Sequence, residues 1–119
     1  MTHPCKQLVL AHLDDVHPRA AALGAVNTVV VRDGELNGYN TDVSGMRVAL
    51  ARHGVTQARS AIVLGAGATA RSAFASLEAL GVRTVVVAAR SAQRAHESLD
   101  RVAGILGIDF RVLPWDELD

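Results

Sequence analysis

From residue 60 onward, short apolar runs alternate with longer amphipathic segments. The runs AIVL, VRTVVVAA and IDFRVL predict three strands, and RSAFASLEAL and SAQRAHESLDRVAGIL predict two helices between them. Strands that are apolar throughout and separated by helices are typical of a parallel sheet covered on both faces. The pattern therefore predicts an α/β fold with a Rossmann-like doubly wound parallel sheet in this part of the chain.

The first 59 residues predict shorter elements, namely two helices, a β-hairpin and a third helix. The first three elements cover residues 6–13, 18–23 and 26–38, and the third helix is capped by Asp42 or Ser44 and ends near His53. Asp33-Gly34 is the predicted hairpin turn, because this dipeptide tolerates the left-handed backbone that tight hairpins need. The chain thus divides into a mixed α/β first part and a parallel second part.

Composition and charge narrow the classes of function. Lys plus Arg and Asp plus Glu both number 12, so the chain has no net field for recruiting nucleic acid or an anionic membrane. No apolar run approaches the roughly 20 residues of a membrane-spanning helix, and there is no signal-peptide pattern. The single cysteine, Cys5, cannot form an internal disulfide. We therefore expect a cytoplasmic protein that binds neither membrane nor nucleic acid.

The turn between the first parallel strand and its helix carries the first candidate chemistry. Residues Gly65-Ala66-Gly67-Ala68-Thr69-Ala70 fit the pattern G-x-G-x-x-A directly after a strand and before a helix. Glycines there permit a tight turn and a close approach to a pyrophosphate, and the helix N-terminus offers free N–H groups. The structural alternative is a strand-to-helix turn that binds nothing. The strand-turn-helix-strand context favours dinucleotide binding.

The end of the next strand indicates which dinucleotide is bound. An acidic residue there would hold the ribose 2′-hydroxyl of NAD, but the sequence reads Ala88-Ala89-Arg90-Ser91, with Arg94 one turn later. Two arginines at a helix start can bind a 2′-phosphate through charge-assisted contacts. The alternative is that both are solvated surface charges. We predict NADP as the cofactor, with NAD less favoured.

Three polar stretches in the first part suggest a substrate site: THPCK at 2–6, GAVNT at 24–28 and GYNTD at 38–42. Each has a structural alternative, because Lys6 could be an exposed helix charge, Asn27 a turn residue, and Asn40 and Thr41 helix caps. If a bound NADP oxidises a carbinol, a nearby base must take the hydroxyl proton. In the reverse direction a donor must protonate the forming alkoxide. A lysine oriented by a carboxylate can serve in both directions.

Taken together, ahead of the glycine turn, these stretches resemble the shikimate dehydrogenase family, whose signature reads N-V-T-x-P-x-K, G-A-V-N-T and G-x-N-T-D. The resemblance runs from Thr2 to Asp119. It implies the reversible NADP-linked reduction of 3-dehydroshikimate to shikimate, a small-molecule substrate, in aromatic amino acid biosynthesis. The P-C-K-Q version at 4–7 is also similar to members that handle quinate or aminoshikimate.

The resemblance also implies roles for particular residues. Lys6 matches the acid/base lysine and Asp42 its partner, while Thr2 and Asn27 match residues that hydrogen-bond substrate hydroxyls. The turn formed by Gly65, Ala66, Gly67, Ala68, Thr69 and Ala70 matches the pyrophosphate site, and Arg90, Ser91 and Arg94 match the positions that meet the 2′-phosphate. Two departures stand out. Ala68-Thr69 replaces the usual Gly-Ala, and Ala89 replaces the usual Asn.

The same resemblance implies that the chain corresponds to a segment truncated at both ends. Residues 1–43 are then the remnant of a substrate-binding and catalytic domain, and residues 44–119 a linker helix with the first half of an NADP-binding Rossmann domain. Sheet edges left exposed by truncation predict a homo-oligomer. Two alternatives stay open, a quinate or aminoshikimate dehydrogenase that uses NAD and a non-catalytic nucleotide-binding remnant.

The remaining candidate residues have structural interpretations. The five histidines show no metal-ligand spacing, so no metal site is predicted. Trp115 is interpreted as a core anchor for the last element.

Overall fold

Two three-stranded sheets organise the part of the chain that the computed structural model describes, residues 4–117. The strands of the first sheet are β1 (Asp15–Val16), β2 (Thr28–Arg32) and β3 (Glu35–Tyr39). They lie in the order β1-β3-β2, with β1 parallel and β2 antiparallel to β3. The strands of the second sheet are β4 (Ser60–Leu64), β5 (Thr84–Ala89) and β6 (Asp109–Pro114), which lie in chain order and are all parallel.

Within residues 4–117 the structure has five α-helices, of which the first precedes β1 and the other four lie between strands. They are α1 (Cys5–Leu8), α2 (Pro18–Leu23), α3 (Asp42–Arg52), α4 (Ala68–Ala79) and α5 (Ala92–Leu106). Short 3-10 turns follow α1 at Val9–His12 and β6 at Trp115–Glu117. The predicted β-α-β-α-β order of the second half is therefore confirmed, as is its Rossmann-like parallel sheet.

The first half matches its prediction with local differences. The segment predicted as a helix over 6–13 is α1 followed by a 3-10 turn, and β2 begins two residues later than predicted. The hairpin turn is at Asp33-Gly34, whose φ angles of 52° and 78° are both left-handed. Neither Asp42 nor Ser44 caps α3, since the Asn40 Oδ1 atom accepts the backbone N–H groups of Asp42 and Val43 instead.

Alternation along the strands of the second sheet separates a buried face from an exposed one. Val63, Val85 and Val87 are buried in the cluster that also contains Phe74 of α4 and Leu99 of α5. On the other face Ile62 and Leu64 are 65% and 64% exposed. Within residues 4–117, helices thus cover one face of this sheet.

The hydrophobic cluster extends across both halves of the chain. Leu23 of α2 and Val43 of α3 belong to the same group of buried residues as Phe74 and Leu99. The Phe74 ring also meets Phe110 of β6 edge to face, with 5.6 Å between the ring centroids. The predicted boundary between residues 43 and 44 falls in the first turn of α3, so the division into two domains stays a prediction.

Gly38 lies where the first sheet packs most closely against its neighbours. A Cβ atom added there would come within 2.5 Å of the Leu13 Cδ1 atom and 3.1 Å of the Val26 Cγ2 atom. Leu13 can move its flexible end, but Val26 is β-branched and fully buried. The sheet therefore needs a residue without a side chain at this position.

We expect Gly38→Ala to lower the free energy of unfolding by about 1–3 kcal/mol, because overpacking forces neighbouring side chains to shift. Urea denaturation measures the change. Gly45→Ala is the matched control, since Gly45 lies inside α3 with no atom within 4 Å of an added Cβ. Alanine there should stabilise the helix by up to about 1 kcal/mol. Equal stability of the two variants would contradict the packing argument.

Candidate active site

Lys6 and Asp42 form an ion pair that joins α1 to the start of α3. The Lys6 Nζ atom lies 2.7 Å from the Asp42 Oδ2 atom, and the side chains are 12% and 24% exposed. The Val26 N–H donates to the Lys6 carbonyl at 2.9 Å and fixes α1 against the loop before β2. Asp42 is the first residue of α3, where the helix dipole favours a carboxylate. The structure thus brings together two residues that are 36 positions apart in sequence.

Asn27 holds the other oxygen of the same carboxylate. Its Nδ2 atom donates to the Asp42 Oδ1 atom at 3.0 Å and to the Thr41 hydroxyl at 2.9 Å. Its Oδ1 atom accepts the Thr41 backbone N–H at 3.0 Å and the Thr28 hydroxyl at 2.9 Å. The family resemblance implies a contact between Asn27 and substrate hydroxyls, which stays a prediction; in the structure its amide orients Asp42. Thr2, the other predicted substrate contact, lies outside the described residues.

Asn40 is a site residue that the sequence analysis considered only as a helix cap. Its Oδ1 atom accepts the Asp42 N–H at 2.9 Å. Its Nδ2 atom donates to the Ala25 carbonyl and to the Ser72 hydroxyl of α4, each at 3.1 Å. One amide therefore fixes the backbone of Asp42 to the loop before β2 and to α4. The GYNTD stretch marks Asn40 as a candidate residue, but only the fold shows that its amide donates to Ser72.

The glycine turn has an open space beside its backbone. Gly65 has a φ of 100°, which favours glycine, and Gly67 is the N-cap residue of α4. A Cβ atom added at either glycine would meet no atom within 4 Å. The first turn of a helix leaves backbone N–H groups without intrahelical partners. The turn therefore fits a phosphate group, which a side chain at either glycine would crowd.

The glycine turn and the predicted 2′-phosphate residues line one cleft. Its volume is about 600 Å³. The six predicted cofactor residues among its walls are Gly65, Ala66, Gly67, Arg90, Ser91 and Arg94. None of the described residues that line it is acidic. The cleft therefore has two arginines and no acidic residue among its described walls.

Two side chains of this cleft, Ser91 and Trp115, have contacts or an exposure that the sequence did not predict. The Ser91 hydroxyl accepts the Arg94 backbone N–H at 3.2 Å and caps α5, so one of its oxygen lone pairs is already used. Trp115, expected in the core, is 43% exposed and lines the cleft. It lies in the 3-10 turn after β6, whose carboxyl end reaches the same edge of the sheet. The indole adds an apolar wall that the sequence did not predict.

Thr69 connects the helix that follows the glycine turn with the ion pair. It is the second residue of α4, and its Oγ1 atom lies 3.4 Å from the Lys6 Nζ atom. Two residues further on, Arg71 donates from its Nη2 atom to the Gly24 carbonyl at 3.3 Å. Burial, and then the charge of Arg101, lower the pKa of Arg71 from the ordinary arginine value. Helix α4 thus contacts the first half of the chain through several polar side chains.

Among residues 4–117, no three His, Cys, Asp or Glu side chains lie close enough together to hold a metal ion. No helix in the same range has the length and apolar character needed to cross a membrane.

The family model described as shikimate / quinate 5-dehydrogenase matches residues 47–118, more than half of the chain. The chain belongs to this family. A second model, described as the shikimate dehydrogenase substrate binding domain, matches residues 1–29. The two matches follow each other in the order of the two sheets.

Members of this dehydrogenase family are similar to this chain in sequence and in fold. The NADP(+) shikimate dehydrogenase of Pseudarthrobacter chlorophenolicus is 46% identical over 106 residues, which are 87% of this chain and 36% of that protein. Quinate dehydrogenase from Corynebacterium glutamicum, solved with NAD, gives a TM-score of 0.85 at 33% identity, with 98% of this chain and 43% of that chain covered.

A third relative was solved with both kinds of ligand. Shikimate 5-dehydrogenase from Thermus thermophilus, in complex with NADP(H) and shikimate, gives a TM-score of 0.76 at 38% identity. The match covers 95% of this chain and 41% of that chain. The present chain thus spans well under half the length of these dehydrogenase relatives.

We expect Asn27→Ala to lower the free energy of unfolding by about 1–3 kcal/mol, because it leaves the Thr41 N–H and one Asp42 oxygen without their partner. Chemical denaturation measures the change. Asn37→Ala is the matched control on β3, since the Asn37 amide makes one long contact, 3.5 Å to the Glu35 carbonyl. Similar losses for both variants would mean that the Asn27 contacts do not stabilise the site.

Proposed function

We propose that this chain carries the acid/base pair and the dinucleotide turn of an NADP-dependent shikimate dehydrogenase, which interconverts 3-dehydroshikimate and shikimate. The observation that carries the proposal is the Lys6–Asp42 ion pair at 2.7 Å, placed 3.4 Å from Thr69 in the first turn of the helix that follows Gly67. A proton-transfer group beside a dinucleotide turn is what alcohol oxidation requires. The names of the relatives support the same activity.

The residues of the ion pair divide the proton chemistry between them. In the direction of reduction, the Lys6 ammonium donates a proton to the substrate oxygen as negative charge develops on it. In the direction of oxidation, the neutral Lys6 amine accepts the hydroxyl proton. Asp42 orients the Nζ atom at 2.7 Å, and Asn27 holds the second carboxylate oxygen at 3.0 Å. The carboxylate is therefore a fixed support for a lysine that moves the proton.

The cleft supplies the cofactor site in this proposal. The turn from Gly65 to Ala70 would hold the pyrophosphate, and Arg90 and Arg94 would hold the 2′-phosphate of NADP. When bound, the dinucleotide takes a hydride from the carbinol carbon or returns it to the carbonyl carbon. The division into a substrate-binding part, 1–43, and a nucleotide-binding part, 44–119, belongs to the same proposal.

One comparison favours a second candidate, quinate oxidation with NAD. Quinate dehydrogenase from Corynebacterium glutamicum, solved with NAD, shares the fold of this chain at 33% identity, and the matching family model is described as shikimate / quinate 5-dehydrogenase. The two arginines of the cleft and the NADP(+) shikimate dehydrogenase relative favour the first candidate. Self-association through exposed sheet edges and a cytoplasmic location stay predictions.

We expect Lys6→Ala to abolish most of the turnover of shikimate and NADP+ while NADP+ affinity changes little, because Lys6 moves the proton and does not belong to the cleft. NADPH absorbance measures turnover, and calorimetry measures NADP+ binding. Equal loss of both would indicate a folding defect. An unmodified chain that binds NADP+ without turning over would instead support a non-catalytic nucleotide-binding remnant, and quinate with NAD+ in parallel tests the second candidate.

We expect the double variant Arg90→Gln/Arg94→Gln to weaken NADP+ binding by about 10- to 100-fold, since charge-assisted contacts to a phosphate are lost. NAD+ affinity should stay nearly the same, because NAD+ has no 2′-phosphate. Calorimetry with both dinucleotides measures the ratio. Arg59→Gln, at the opposite end of the second sheet, controls for the loss of positive charge. Equal weakening of NADP+ and NAD+ binding would place the 2′-phosphate elsewhere.

A further inference from the structure

One face of α4 presents three hydroxyl groups to the first half of the chain. Thr69, Ser72 and Ser76 are spaced three and four residues apart, so they lie along the same side of the helix. The Thr69 Oγ1 atom accepts from Lys6 at 3.4 Å, the Ser72 hydroxyl accepts from the Asn40 amide at 3.1 Å, and the Ser76 hydroxyl donates to the Val43 carbonyl at 2.9 Å. Each hydroxyl thus has a partner in or beside the GYNTD stretch or in α1.

The two serines fix how α4 lies against the start of α3. Both are fully buried, and a buried hydroxyl without a partner is costly. Their partners, the Asn40 amide and the Val43 carbonyl, flank Asp42 in sequence. A slide or rotation of α4 would break both hydrogen bonds, so Thr69, one turn before Ser72, is held beside the ion pair.

The Lys6 side chain needs more than one partner to have a fixed direction. Its ammonium has three N–H donors on a stem of four rotatable carbons. A contact with Asp42 alone leaves the ammonium free to rotate about one acceptor. Asp42 and Thr69 are acceptors on two different helices, so together they determine where the remaining N–H points. The Thr69 contact is the one that fixes the direction of the ammonium relative to α4, the helix that follows the dinucleotide turn.

We propose that Thr69 is a positioning residue for Lys6, and that its hydroxyl fixes the direction of the ammonium relative to the glycine turn. This inference rests on the proposed function, since it assigns Lys6 the proton transfer and the turn the dinucleotide. It gives Thr69, which the motif assigns only to the pyrophosphate turn, a second role toward Lys6. The hydroxyl occupies one of the two positions where this sequence departs from the Gly-Ala usual after the second glycine, which gives this chain an acceptor that alanine lacks.

Lys6 is the only lysine in the chain, which makes its ammonium directly observable. Isotope labelling of lysine alone gives one Nζ signal in an NMR spectrum of the whole chain. The solvent exchange rate of its protons reports hydrogen bonding to Asp42 and Thr69 without any need for turnover. Circular dichroism and thermal melting on the same samples report whether each variant is folded.

We expect Thr69→Val, which keeps the shape and removes the hydroxyl, to raise the exchange rate of the Nζ protons about three- to tenfold. Thr69→Ser keeps the hydroxyl and should have the exchange rate of the unmodified chain. If Thr69→Val folds poorly, Thr69→Ala replaces it and should show the same increase. Thr56→Val, on the exposed loop after α3, is the matched control and should change nothing. Asp42→Asn should give a larger increase than any Thr69 variant, since it removes the shorter contact.

An exchange rate in folded Thr69→Val or Thr69→Ala equal to that of the unmodified chain would overturn the inference. A titration with NADP+ on the same samples separates it from the proposed function. Failure to bind NADP+ with the Thr69 effect present would contradict the nucleotide proposal and leave the positioning role supported. NADP+ binding without the Thr69 effect would contradict the positioning role alone.

Discussion

Two buried serine hydroxyls on α4 constrain how the halves of this chain meet. Ser72 and Ser76 are sealed from solvent, and each is hydrogen-bonded to the segment around the start of α3. Buried polar groups keep their partners because water cannot replace them. This requirement sets the position of α4 relative to Asp42, and with it the distance between the glycine turn and the ion pair. The helix that follows the glycine turn therefore also locates the Lys6–Asp42 ion pair.

The ion pair in turn depends on amides more than on charge. Asn27 holds one Asp42 oxygen, Asn40 holds the Asp42 backbone, and Lys6 meets the remaining oxygen. An isolated, partly exposed ion pair stabilises little, since solvent competes with both partners. Amides with several hydrogen bonds are rigid supports, so Asn27 and Asn40 determine the direction of the carboxylate independently of Lys6. The GAVNT and GYNTD stretches act as one unit in this arrangement.

Periodicity along the chain predicted the second half of the fold well, because buried parallel strands and their helices have distinct patterns that β5 and α5 follow closely. It predicted the first half less well. The break of the first helix into a 3-10 turn at Val9 and the cap of α3 by Asn40 depend on contacts with Val26 and Ser72, which are distant in sequence. In the site, motifs identified Lys6, Asp42 and the glycine turn. Trp115 and Ser72 carry no motif, so only the tertiary arrangement reveals them.

The hydrophobic cluster that contains Leu23, Val43, Phe74 and Leu99 has a consequence for how the chain loses its structure. Side chains from both sheet-bearing halves fill one continuous core, so neither half can detach without exposing residues that the other covers. Separate melting of the halves would require that apolar surface to enter water at a cost of roughly 25 cal/mol per Å². We therefore expect the two sheets to unfold as one cooperative unit on heating, although they belong to different segments of the family pattern.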